Sequence, residues 1–263
     1  MEIAGYIAAL LIGLTLGLVG GGGSILTVPI LVYLFQVSPV LATSYSLFIV
    51  GVTSLVGSIN SFANKKVDFK TVVVFGVLSV ITVFCIRHYL IPHLPSFVSI
   101  AGFQVPVSLL TMLLFAILMI VSSFSMIRAE KESTVVRRTG VGYIALYGIA
   151  VGLVTGLLGA GGGFLLIPAL TVLLRLPIKK AIGTSLVIIT LNSLIGFADD
   201  VTHHQMNWPL LLKITGISVI GILAGSVISQ KLDGGTLKKS FGWFVLLIGI
   251  YIIFHELTGL SGH

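Results

Sequence analysis

The sequence predicts an all-α, polytopic membrane protein made of two inverted repeats, each a glycine-broken helical hairpin followed by three transmembrane helices. Three observations predict it: the composition, a repeat at an offset of 139 residues, and the placement of the basic side chains.

Of the 263 residues, 56% are hydrophobic and 9% are charged, and the mean hydropathy is +1.16. A soluble domain needs far more polar surface. Apolar runs of about 18 residues match the ~30 Å hydrocarbon layer as helices. With their polar flanks, such runs occur at 42–59, 71–86, 107–121, 140–158, 181–198, 210–228 and 241–254. A β-barrel would instead alternate over ~10-residue segments. The net charge of +7 and pI near 9.6 could suit nucleic acid, but the basic residues fall between apolar runs. That is the pattern of membrane-protein loops, so the expected partner is the lipid bilayer and not nucleic acid. The single cysteine, Cys85, excludes an intrachain disulfide and a multi-thiolate metal site. Lying inside an apolar run, it is expected in the core. The first 20 residues carry Glu2 and no positive leader, so they read as the mature first helix and not as a signal peptide.

Shifting the chain by 139 residues aligns 17–69 with 156–208 without a gap, and 16 of those 53 positions are identical. Gly17, Gly20, Gly22, Gly23 and Pro29 fall on Gly156, Gly159, Gly161, Gly162 and Pro168. Ala42, Ser46 and Leu47 fall on Ala181, Ser185 and Leu186, and Ser54, Leu55 and Gly57 on Ser193, Leu194 and Gly196. Chance likeness between oily helices matches Leu, Ile and Val, not glycines, prolines and serines. The expected units are 1–127 and 140–263, joined by a polar cytoplasmic linker at 128–139.

In chain order, the first repeat reads as helices at about 3–19 and 24–35, then 42–60, 71–90 and 107–127. The second reads as about 141–158 and 163–174, then 181–198, 209–229 and 240–257. The breaks follow from "GLVGGGGSILTVP" and "GLLGAGGGFLLIP", because glycine and proline are the poorest helix residues. A continuous helix from 3 to 35 would be roughly 50 Å long, too long for one simple crossing, whereas each arm alone suits a hairpin with its tip inside the membrane. Prolines are tolerated in a helix's first turn, which places the start of the second arms between Ser24 and Pro29 and between Gly163 and Pro168.

Charge decides the direction. If each hairpin makes no net crossing, 13 of the 15 basic residues share one side, Lys65, Lys66, Lys70, Lys179 and Lys180 among them, and only Arg87 and Lys213 oppose them. A single crossing would split them eight to seven. The positive-inside rule selects the first arrangement. Each half then crosses three times, the second half starts inverted, both termini lie outside, and the two glycine tips approach from opposite faces.

Irregular backbone at membrane depth is tolerated where it lines a cavity or is buried in protein. The short helix after each break begins with unpaired N–H groups and a partial positive charge, which attract an anion. The candidate substrate-binding residues are therefore Gly20, Gly21, Gly22, Gly23 and Ser24 in the first break, and Gly159, Gly161, Gly162 and Gly163 in the second. The next helix of each half adds Ser46, Thr184, Ser185 and Asn192 as neutral donors. Single serines and threonines in membrane helices more often serve close packing; paired glycine clusters exceed what packing requires. His203 and His204, beside Asp199 and Asp200, fall in an expected outer loop and read as solvated, so no metal or cofactor is expected. His255 and Glu256 are expected to snorkel at the outer end of the last helix. "GGGGS" lacks the lysine of a phosphate-binding loop.

With its doubled "GLVGGGGSILTVPIL" and "GLLGAGGGFLLIPAL", its "ATSYSL" and "AIGTSL", and its matched "VDF" and "MNW", the chain resembles the TauE/SafE-like sulfite exporter permeases from Gly5 to about Gly249. The resemblance implies a multi-pass permease of the inner (plasma) membrane that moves sulfite, thiosulfate or organosulfonates. Thiosulfate-importing relatives use cysteines near the pore, whereas Cys85 falls in a different helix. The combined expectation is a secondary transporter for a small anion held between the glycine tips. A passive anion channel is the nearest alternative, and a membrane-embedded serine hydrolase using Ser185 or Ser24 the more distant one.

Overall fold

A computed structural model describes residues 2–21, 23–95, 97–100, 103–128, 141–159, 161–174, 176–203, 205–229 and 234–260. Gly22, Ala160, His204 and nearly all of the expected linker lie outside them. The described chain is almost entirely helical. In the first half, α1 is Glu2–Val19, α2 Ser24–Tyr33, α3 Pro39–Ala63, α4 Phe69–His93 and α5 Val107–Ile127. In the second, α6 is Val141–Leu158, α7 spans 163–173, α8 is Ile178–His203, α9 Trp208–Ser229 and α10 Gly234–Leu260. Five of these helices are long and apolar enough to cross a membrane.

At the first break the chain folds back on itself as a hairpin. Gly5, near the start of α1, lies against the Phe35 ring just beyond α2, where an added Cβ would sit 2.9 Å from the ring carbon Cε2. α2 begins at Ser24, the upstream limit of the expected range, so Pro29 sits beyond the first turn, and one carbonyl behind it forgoes its helical donor.

α3 and α8, corresponding helices of the two halves, form the centre: 67% and 72% of their apolar windows are buried, against 28% for α4 and 33% for α5. They run antiparallel. Gly51 faces Ser193 and Leu194 at their crossing. The turn after α3 places the Lys66 carbonyl over Gly183, near the start of α8, and the turn after α8 brings Asn207 to Tyr45, near the start of α3.

α5 packs on α10, the last helix of each half on the other, and two further pairs are exchanged. α1 lies on α9 and α4 on α6, in each case the first helix of one half against the fourth of the other. Glycines let the backbones meet: Gly13 and Gly17 of α1 face Ser218, Ile222 and Ser226 of α9, and Gly148 and Gly152 of α6 face Phe75 and Ser79 of α4. Small residues are how helices associate tightly where lipid offers no hydrophobic drive. The outward faces carry Ile7, Val73, Ile81, Ile117, Leu146, Ile220 and Leu247, all exposed, as a lipid-facing surface requires.

Four local readings change. Cys85 is exposed on α4 and not in the core, because it lies on the same outward face as Ile81 and Phe84. Asp199, Asp200 and His203 belong to the last turns of α8 and not to a loop, and Asp200 is buried. Glu256 does not simply reach for water: it accepts a 2.7 Å hydrogen bond from the Tyr33 hydroxyl and so ties α2 to α10. The segment before α5 is a short antiparallel hairpin, β1 Phe97–Ile100 and β2 Phe103–Pro106, pairing Val98 with Val105 and Ser99 with Gln104.

Candidate functional site

The two glycine breaks touch. A Cβ added at Gly21 would lie 2.8 Å from the Gly163 Cα, and one added at Gly163 would lie 2.6 Å from the Gly21 Cα. Only glycines permit that approach. Their backbone also requires them: Gly20, Gly21, Gly159, Gly161 and Gly162 all have positive φ, between 63° and 134°. Gly23, by contrast, is right-handed at φ −63° and caps α2. Neither α2 nor α7 has a side-chain cap at its N-terminus, so the amides that open each short helix face the region of the breaks without a side-chain acceptor.

Each break seats on the other half. Gly20 lies against Ile182 in the first turns of α8, and Gly159 against Thr43 in the first turns of α3. The Ser185 hydroxyl donates to the Gly20 carbonyl and also, at 2.8 Å, to that of Ile182. Its repeat counterpart Ser46 is buried with no partner among the described residues. The Ser24 hydroxyl folds back on the Gly21 carbonyl at 2.7 Å.

The expected donors are thus divided. Thr184 accepts from the Asp68 backbone N–H at 2.9 Å, and its counterpart Tyr45 accepts from Asn207 N–H at 2.6 Å. In each case a hydroxyl of one half holds the residue that begins the fourth helix of the other, while Asp68 and Asn207 cap those helices through Thr71 N–H and Leu210 N–H. Asn192 donates to the Ser79 hydroxyl at 2.8 Å and leaves its Oδ1 unpartnered.

α3 and α8 carry a set of buried polar atoms that find no partner among the described residues: the hydroxyls of Ser44, Ser46, Thr53, Ser54 and Ser193, and Asn192 Oδ1, with the Thr27 hydroxyl on α2 besides. Thr53 and Ser54 correspond to Asn192 and Ser193 under the 139-residue shift, so both halves contribute. A Cβ on Gly161 would come within 3.0 Å of the Ser193 hydroxyl, which brings this set up to the second break. A buried polar group without a partner costs about 1–3 kcal/mol. A cluster of them is a polar interior suited to water or a polar ligand.

The sequence reading set Arg87 aside as one of two basic residues away from the lysine-rich side. The structure buries it completely against Asp200, with Nη1 to Oδ2 at 2.6 Å and Nη1 to the Thr43 hydroxyl at 3.3 Å. Next to it, His88 Nδ1 lies 2.8 Å from Asp199 Oδ1. A charge in an apolar run faces a partner or a cavity, and that rule is the signal that could have matched Arg87 with the acid pair ending α8. Among the described residues, no group of three or more His, Cys, Asp or Glu side chains is placed to hold a metal ion.

Comparison with known proteins adds three findings. The family model for the sulfite exporter TauE/SafE matches residues 6–252. A "Probable membrane transporter protein" of Xylella fastidiosa (strain Temecula1) is 29% identical over 267 aligned residues, covering 95% of this chain and 94% of its own. "Probable membrane transporter protein YunE" of Bacillus subtilis is 29% identical over 272, covering 96% and 98%. No solved structure matches.

Proposed function

The chain belongs to the sulfite exporter TauE/SafE family of multi-pass membrane transporters, and from that premise we propose that it is a secondary transporter for a small anion, sulfite or a related sulfur oxyanion or organosulfonate. The substrate binds near the bilayer midplane where the two breaks meet. The observation that carries the reading is the backbone contact of Gly21 with Gly163, each just before or at the start of a short helix. Two partial positive charges converge there, and an anion benefits from both.

The unpartnered hydroxyls of Ser46, Thr53, Ser54 and Ser193 supply donors to oxyanion oxygens. Binding by dipoles and neutral donors is weak enough for release, as transport requires. The direct contact of the breaks makes this an occluded arrangement, and rocking of one half against the other opens it to alternate sides. The antiparallel α3–α8 pair and the exchanged packing of α1 on α9 and α4 on α6 support an inverted repeat. The turn at Lys65 and Lys66 adjoins the start of α8 with Lys179 and Lys180, which supports one cytoplasmic basic face with both termini outside.

Uptake by the purified chain in proteoliposomes tests the reading. Sulfite, thiosulfate, sulfate, sulfoacetate and taurine are compared under imposed pH gradients and potentials. Saturable uptake of sulfite or a sulfonate is expected. Uptake of none of the five by correctly folded protein rejects it, and conductance far above carrier rates would assign a channel instead.

A further inference from the structure

Arg87 is the largest fully buried side chain among the described residues, and the contacts at the glycine breaks do not use it. Its setting is unusual in four respects. It lies in a π-helical turn, Ile86–Leu90, a backbone irregularity that recurs at functional positions. Its partner Asp200, 2% exposed, comes from the other half, so the pair joins α4 to α8. A buried ion pair adds little to stability compared with apolar packing, so stability alone does not account for it. The repeat has no second copy: the equivalent positions hold Ser226 and Ser61, which hydrogen-bond to carbonyls of their own helices, Leu223 and Gly57. One end of a two-fold arrangement therefore carries a charge pair that the other lacks.

The guanidinium is only half used. Nη1 serves both Asp200 and Thr43, while Nε and Nη2 are buried without a partner among the described residues. Nε–H and an Nη2–H lie side by side on one edge of the guanidinium plane, a two-pronged donor that matches two oxygens of an oxyanion. Arg87 and Asp200 line a cleft of about 310 Å³ with Val40, Ile91, Pro92 and His203. An adjoining cavity of about 600 Å³ shares Val40 and Ile91 and reaches Thr43, Leu157 and Leu158, immediately before Gly159. Thr43 touches both ends of this path: its hydroxyl meets Arg87 and its backbone meets Gly159. The neighbouring titratable groups are Asp199, which lies 2.8 Å from His88, and His203, which lines the cleft 4.0 Å from Asp199.

We infer that Arg87 is an anion-docking residue at the end of the bundle remote from Lys65 and Lys66. A sulfite or sulfonate group binds the Nε/Nη2 edge, competes with Asp200 on Nη1 for the guanidinium charge, and passes by way of Thr43 toward the Gly159 break. The inference rests on the anion-transporter reading and adds a second, one-sided station to it.

The test is calorimetric titration of the purified full chain in detergent with sodium sulfite and with sodium methanesulfonate. Wild type is compared with Asp200→Asn and with the neutral pair Arg87→Gln/Asp200→Asn, each required to elute as wild type. Asp200→Asn should bind both anions more tightly than wild type, since the internal competitor is gone. The neutral pair should bind at least about tenfold more weakly than wild type, as two charge-assisted hydrogen bonds are lost. A purely structural pair predicts no gain in Asp200→Asn, so absence of that gain in folded protein overturns the inference. If Asp200→Asn does not fold, wild type against the neutral pair decides, and equal affinity overturns the docking role while leaving the glycine-break site standing. Folded wild type that binds neither anion overturns both readings.

Discussion

Replacing Gly159 by alanine adds one carbon atom to the tightest part of the molecule. Gly159 has φ +65°, a left-handed conformation that costs an L-residue about 1–2 kcal/mol. The new Cβ would also lie 2.6 Å from both Cα and Cβ of Thr43, where ordinary contact begins near 3.4 Å. The obstructing atoms are mainly backbone of α3, which cannot rotate away, so the overpacking range of about 1–3 kcal/mol applies. The two add to about 2–5 kcal/mol, a large part of a typical stability of about 5–15 kcal/mol. Gly216→Ala is the control: it has open space within 4 Å in the middle of α9, and alanine is the better helix residue by up to about 1 kcal/mol. Unfolding midpoints of both variants in one detergent measure the difference, and anion flux per folded molecule measures the functional loss. If the two variants unfold within ~0.5 kcal/mol of each other, Thr43 does not hold this break rigidly and the reasoning is wrong.

Topology is checked by labelling Lys65→Cys and Lys179→Cys in a Cys85→Ala background; both should react from the cytoplasmic face, and labelling from opposite faces would remove the inverted-repeat reading. Ser24→Asp should inhibit anion transport more than Ser24→Asn, with the gap closing as acidification protonates the new carboxylate; equal activity of the two at neutral pH would reject an anion site at the breaks. Tyr45→Phe and Thr184→Val each leave one backbone N–H, of Asn207 and of Asp68, without its acceptor, so each should lower stability by about 1–3 kcal/mol in an unfolding titration. A loss in only one of the two would show that the exchanged caps are not equivalent.

Much of the architecture was legible because the 139-residue shift aligns positions with the same mechanical task. Tyr45 aligns with Thr184 and Asp68 with Asn207, and these pairs make matching bonds although their side chains differ. The positions of the helices follow from apolar run length, although α8 runs on to His203, past its expected end at 198, and the breaks follow from glycine and proline. What hydropathy misses is direction. It records that Cys85 lies in an apolar helix, but not that its face meets lipid and not protein. It shows Arg87 near the end of one run and Asp200 near the end of another, 113 residues apart, but not that α4 and α8 bring them together. Phe97–Pro106 carries a strand signal, aromatic and β-branched residues around Ala-Gly, that apolar run length does not register.

The exchanged caps bear on how such a molecule is put together. Asp68 at the start of α4 is held by Thr184, and Asn207 at the start of α9 by Tyr45, so each half finishes a helix that belongs to its neighbour. A half made alone would begin its fourth helix without that brace, and its α1 or α6 would face lipid along a glycine seam shaped for another backbone. Each half therefore keeps an unbraced helix start and an open glycine seam until the other is present, which couples the stability of the two.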